Sequence, residues 1–134
     1  MPQPDLAATL ADVDAEIRAL EAGLGAGAEP PLGRTVDTAQ ALARRMVAGY
    51  LMAATEKPVP AESADLLALW KVLVKGDPTW NTIRDNCREL VYYRNCLDAD
   101  RLDALPAKPG RMAVRTVRHL HLFIKSRCER EGRL

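Results

Sequence analysis

An all-α fold, a single-domain bundle of about five helices, is what this 134-residue chain predicts, and three observations predict it. Apolar residues recur at three- and four-residue spacing in five separate stretches. Proline and glycine clusters of turn length separate those stretches. No alternating apolar and polar run of useful length is bounded by turn signals, so no strand is expected. A hydrophobic fraction of 48% and a charged fraction of 28% are ordinary globular values, and 134 residues suffice for one core without staples.

The first helix is read over residues 1–24, where Leu6, Leu10, Val13, Ile17, Leu20 and Leu24 form an a/d seam and Asp5 stands as N-cap. Two and a half heptads are too few to stand alone. The seam must dock on the rest of the chain, on a second copy or on a partner helix. Residues 25–34, within GLGAGAEPPLG, read as a Gly/Pro linker, and residues 35–134 as the helical bundle proper.

The second helix is expected from about Asp37 to Thr55, with Asp37 and Gln40 in capping-box positions. Its apolar arc, from Val36 through Met46 to Ala54, covers about half the wheel, which places it centrally. The third is expected from about Ala64 to Lys75, after Glu62 or Ser63. Gly76 then suits a C′ position, and Asp77-Pro78 an N-cap followed by proline, so the third and fourth helices meet at a sharp corner as antiparallel neighbours. Trp80 to Leu97 is the fourth helix and holds three of the six aromatics and two of the three cysteines. Pro106, Pro109 and Gly110 precede a fifth helix, about Arg111 to Glu131, with Met112, Val117, Leu120, Phe123, Ile124 and Cys128 on its apolar side.

Several chemistries are disfavoured by spacing. On an unbroken helix Cys87 and Cys96 lie about 180° apart, with Cys87 in the apolar stripe and Cys96 facing away, so they share neither a metal nor a disulfide. His119 and His121 are about 160° apart and cannot chelate together. A composite of Cys87, His121 and Cys128, all inward, is the one metal arrangement left. Buried thiols and a hydrogen-bonded histidine account for the same residues more simply. No catalytic motif with a serine elbow, a zinc-binding helix or a phosphate-cradling loop is present. Arg94-Asn95 begins the Arg-polar pattern of small helical nucleases, but Ala99 stands where their histidine would. Asp98, Asp100 and Asp103 lack the glycine and glutamate of a calcium loop. No metal and no cofactor is therefore expected.

Two surfaces remain. Asn81, Arg84, Arg88, Tyr92 and Asn95 fall within about 80° on the fourth helix and form an expected interaction strip, since arginine and tyrosine combine contact area with directed bonds. Arg111, Arg115, Arg118 and Lys125 form an expected basic face on the fifth helix, with Leu122 exposed among them. Arg94 lies within the apolar stripe of the fourth helix and needs a carboxylate or an exit to solvent, with Asp14 and Glu21 of the first helix as partners.

Charge is unevenly distributed. Residues 1–33 carry six acids against one base, and residues 106–134 eight bases against two acids. The ends either neutralise each other or leave the basic end for an anionic partner. Three cysteines without a paired spacing suit a reducing compartment, and neither a signal peptide nor an apolar run of spanning length is seen, so the expected setting is cytoplasmic. The function expected from all this is a non-enzymatic accessory or adaptor protein, acting through a protein partner or self-association and not through a membrane. Nucleic-acid binding by the basic fifth helix is the alternative, and a metal- or cofactor-dependent enzyme at the Cys/His cluster a distant third.

Overall fold

The computed structural model describes residues 5–27 and 29–134. Among these are five α-helices, two short 3-10 segments and no strand, so the all-α bundle is confirmed. The helices are α1 (Leu6–Leu24), α2 (Leu32–Ala54), α3 (Leu66–Val74), α4 (Arg84–Asp98) and α5 (Pro109–Arg130).

The seam of α1 faces its own bundle. Leu6, Leu10, Val13 and Ile17 are buried, and α1 packs on α2 and α5. Gly49 of α2 faces α1, where a Cβ would make ordinary contact with Leu6 Cδ1 at 3.5 Å. The heptad pattern is thereby engaged inside one chain, and its core-facing residues are not available to a second copy. Asp5 caps the helix as expected, accepting from the Ala7 N–H at 3.2 Å.

Helix α2 is the centre of the bundle and contacts all four other α-helices. Its wide apolar arc explains this: buried residues recur on every turn from Thr35 to Leu51, in adjacent pairs except at Ala39. It starts at Leu32, five positions before the expected Asp37, because Pro31 enters it with a preset φ and Leu32 packs against the core. The linker shortens accordingly. Asp37 and Gln40 do not form a capping box. Gln40 Nε2 donates to the Leu90 carbonyl of α4 at 2.9 Å, and Asp37 takes Arg94. Helix α3 is shorter than expected and is capped by Asp65, which accepts from the Ala68 N–H at 2.8 Å.

The corner before α4 is as expected in its chemistry and different in its geometry. Gly76 takes the left-handed conformation, φ +81°, and the Asp77 carboxylate accepts from Thr79. Residues Pro78–Ile83 then form a 3-10 segment, not the first turn of an α-helix. The cause lies in one carbonyl. The Trp80 oxygen accepts from the Trp70 indole N–H at 2.9 Å, and the Arg84 N–H turns back to the Asn81 carbonyl, the tighter three-residue bond. Trp80 is thereby seated in the core, edge-on to Tyr50 (4.9 Å) and Phe123 (5.7 Å).

Candidate functional site

The α4 strip is at the surface. Asn81, Arg84, Arg88 and Asn95 are exposed, and Arg84 has only its neighbour Asp85 at 3.6 Å. Tyr92, 48% exposed, is tied down: its hydroxyl donates to the Ala104 carbonyl at 2.9 Å and holds the segment after α4 against the helix. That fold-back also covers Cys96, which is buried and not outward-facing as the helical wheel implied. A wheel places a side chain on a face; it does not show that a connecting segment returns to cover that face. None of the strip residues lines the clefts described below.

The expected ion pairs exist with their partners exchanged. Arg94 bonds Asp37 of α2 at 2.8 Å and Asp98, one turn on, at 2.6 Å. Asp14 and Glu21, proposed for Arg94, instead hold Arg118 at 2.6 and 2.9 Å. Arg118 is therefore removed from the free basic face, with its side chain only 20% exposed. Asp14 is held below the usual carboxylate range by the Arg118 hydrogen bond. Lys125 lies 4.0 Å from Glu129, and Arg111 and Arg115 are exposed. The acidic and basic ends of the chain thus neutralise each other in part, through α1 and α5.

Cys87, His121 and Cys128 are all buried, but they do not gather. Among the described residues no group of three or more His, Cys, Asp or Glu side chains could hold a metal ion. His121 has protein partners at both ring nitrogens, the Leu10 carbonyl at 3.2 Å from Nε2 and Arg118 Nη1 at 3.4 Å from Nδ1. Burial pushes the Cys87 thiol up to about 12 and also raises Cys128. We expect all three thiols to resist a disulfide-exchange reagent in the folded protein and to react together on unfolding. Rapid modification of Cys87 or Cys128 under native conditions would contradict this packing.

A second polar cluster closes the carboxyl end of α5. Arg127, whose side chain is 16% exposed, bonds Asp77 at 2.5 Å, Thr79 at 2.6 Å and Glu131 at 3.3 Å, and lies over the Trp80 ring at 4.3 Å. Tyr50 donates to Glu131 at 2.9 Å, and burial raises its hydroxyl pKa. Every charged member has a partner within the cluster. It latches α5 to α2 and to the 3-10 corner.

Three cations without an internal ion pair among the described residues meet in a cleft of about 720 Å³ between the end of α1 and the start of α5. Lys108, Arg111 and Arg115 line it, and Leu24, Met112 and Val114 supply apolar surface. Glu21 is the one acid there and is already bonded to Arg118. Lys108 and Arg111 also line an adjoining hollow of about 280 Å³ beside Pro30 and Leu32. Lys108, absent from the basic face expected from sequence, holds a left-handed backbone, φ 52°, ahead of Pro109. The only sequence signal for it was its place among the eight bases of the last 29 residues.

A scan against protein-family models finds no match, and neither a search of curated proteins nor one of solved structures finds a similar chain. Among the described residues no helix is long and apolar enough to cross a membrane.

Proposed function

We propose that this chain is a small accessory protein that works by binding another protein, gripping an acidic segment of that partner in the α1/α5 cleft. The observation that carries the reading is the pairing pattern. Arg94, Arg118 and Arg127 are engaged inside the bundle, whereas Lys108, Arg111 and Arg115 converge on a concave surface with an apolar lining. A rim of cations over apolar side chains suits a carboxylate-rich segment with one apolar anchor, since the charges steer the encounter and the apolar contact holds it. Three buried, unpaired cysteines support a reducing, cytoplasmic setting.

Nucleic-acid binding is the second reading, and it draws on the same three cations. Losing Arg118 to α1 shortens the phosphate-tracking stripe that the sequence suggested, which favours the protein partner.

One experiment separates the two. A glutamate-rich peptide with a single tryptophan, a DNA duplex and a single-stranded RNA are titrated against the full chain across a salt series. The expected result is preference for the peptide, with roughly tenfold or greater weakening in the double variant Arg111→Glu, Arg115→Glu. Both arginines are exposed, so the variant should fold normally. Preference for DNA or RNA, lost in the same variant, would transfer the site to the second reading. Binding unchanged by the double reversal removes the cleft from both.

A further inference from the structure

Arg118 holds more acid than its single charge requires. Asp14 bonds it at 2.6 Å and Glu21 at 2.9 Å. The two partners are not equivalent. Asp14 is the inner one, its side chain 26% exposed, and it also meets Arg18 at 3.1 Å. It does not line the α1/α5 cleft. Glu21 is the outer one, 47% exposed, and it lines the cleft together with Arg118.

Nothing within α1 calls for an acid at position 21. The helix ends at Leu24, so Glu21 stands in its last turn, where the dipole favours cations and opposes a carboxylate. No basic residue stands in that turn to offset it. Beyond Ile17 no residue of α1 is buried, and only Leu20, Gly23 and Leu24 are half-buried. The end of the helix therefore rests on light apolar contact, and the pair that Glu21 makes is open to water on its own side, which keeps it weak. With Glu21 turned away, the cleft presents four cations, Lys108, Arg111, Arg115 and Arg118.

We infer that Glu21 is an autoinhibitory contact, an internal carboxylate that occupies Arg118 until an acidic segment of the partner displaces it. This regulation rests on the cleft being the site where the partner binds. Arg118 keeps Asp14 throughout, so no guanidinium is stranded when Glu21 swings out to solvent. The incoming carboxylate restores the bond that Glu21 gives up, and the exchange at Arg118 is close to even. A lone carboxylate therefore gains little. A segment with several acids gains, because it reaches Lys108, Arg111 and Arg115 as well, so the contact selects for clustered acids.

The test titrates a fluorophore-labelled form of the glutamate-rich peptide against the full chain at roughly physiological salt. It compares wild type with Glu21→Gln, Glu29→Gln, Arg118→Met and the double variant Glu21→Gln, Arg118→Met. Glu29, exposed beside the adjoining hollow, is the control for charge alone. Both glutamates are exposed, so neither single variant disturbs the core. The expected result is binding about three- to tenfold tighter in Glu21→Gln, against a gain of about twofold or less in Glu29→Gln. In the Arg118→Met background, Glu21→Gln should yield no more than the Glu29 control, because no guanidinium is left to release. Binding by Glu21→Gln that merely equals or falls below that of wild type would show that Glu21 shapes the cleft. That outcome overturns the inference and leaves the cleft as the partner site. An equal gain in Glu29→Gln, or a full gain that survives the loss of Arg118, would assign the effect to net charge and overturn it as well. Absence of binding to both wild type and Glu21→Gln removes the partner site and its regulation together.

Discussion

Alanine at Trp80 is expected to destabilise the protein by about 3–5 kcal/mol, lowering the melting temperature by roughly 10–20 °C. Trp80 is 1% exposed and stands where α2, α3, the 3-10 corner and α5 meet. Its removal leaves a cavity that neighbours cannot close. Tyr50 is fixed by Glu131, and Arg127 is fixed by Asp77 and Thr79. Arg127 also loses the ring beneath it at 4.3 Å, so a guanidinium already largely removed from water loses its aromatic contact. Trp80→Phe keeps an aromatic ring and should cost about 1–2 kcal/mol. The backbone acceptor for the Trp70 indole survives both changes, so the difference isolates the side chain. Chemical denaturation of both variants and of Arg127→Met, with the double variant closing the cycle, measures the coupling. A loss under about 1 kcal/mol for Trp80→Ala would mean that the corner is not a keystone of the bundle.

Much of this arrangement was legible in the sequence. The a/d seam of α1, the breadth of the α2 arc and the Gly76-Asp77-Pro78 corner are short-range signals, and each is realised in the structure. What was not legible depends on contacts across the fold. The 3-10 turn follows from Trp70 reaching Trp80 across ten residues, which no local propensity encodes. Cys96 is buried because the following segment folds back and Tyr92 fastens it. The need of Arg94 for a carboxylate could be read from its position, but not that Asp37 would supply it. Charge counting showed two complementary ends, yet only packing decides that Arg118 turns inward while Arg111 and Arg115, on the same helix, do not. All five residues of the α4 strip are exposed, and one of them, Tyr92, also anchors a turn. The α1/α5 cleft is a tertiary object, made by elements far apart in sequence.

The contact between α1 and α5 yields the second large expectation, which couples charge to acidity. Arg118→Met should cost about 1–2 kcal/mol at neutral pH, since it removes the partner of Glu21 and one of the two partners of Asp14, discounted because both acids remain partly in water and Asp14 keeps Arg18. The same change should alter the pH profile. Burial, the largest cause, lowers the His121 pKa below its ordinary 6.5, and the Arg118 charge adds to this, while the Leu10 carbonyl and Asp14 oppose it. An unfolded chain therefore takes up that proton at a higher pH than the folded one. The contribution of neutral His121 is fully present above about pH 6.5 and is lost as pH falls towards its lowered value. Asp14, Asp77 and Glu131, whose pKa values are also lowered, act in a separate window, losing their contributions only as pH falls below the ordinary carboxylate values of 3.8 and 4.5. In Arg118→Met the cation beside Nδ1 is gone and Asp14 keeps only Arg18, at 3.1 Å, so His121 gains a proton more easily when folded. The variant should be less stable at pH 7.5 yet lose less on going to pH 5.5 than wild type does. His121→Gln, which retains an amide donor for the Leu10 carbonyl, should flatten the same interval without removing the Arg118 pairs. Stability measured by denaturant at half-unit steps, with the imidazole followed by NMR, checks both slopes. A wild type equally stable at pH 7.5 and 5.5 would mean that His121 titrates alike in the folded and unfolded chain, and that the junction of α1 with α5 is indifferent to its proton.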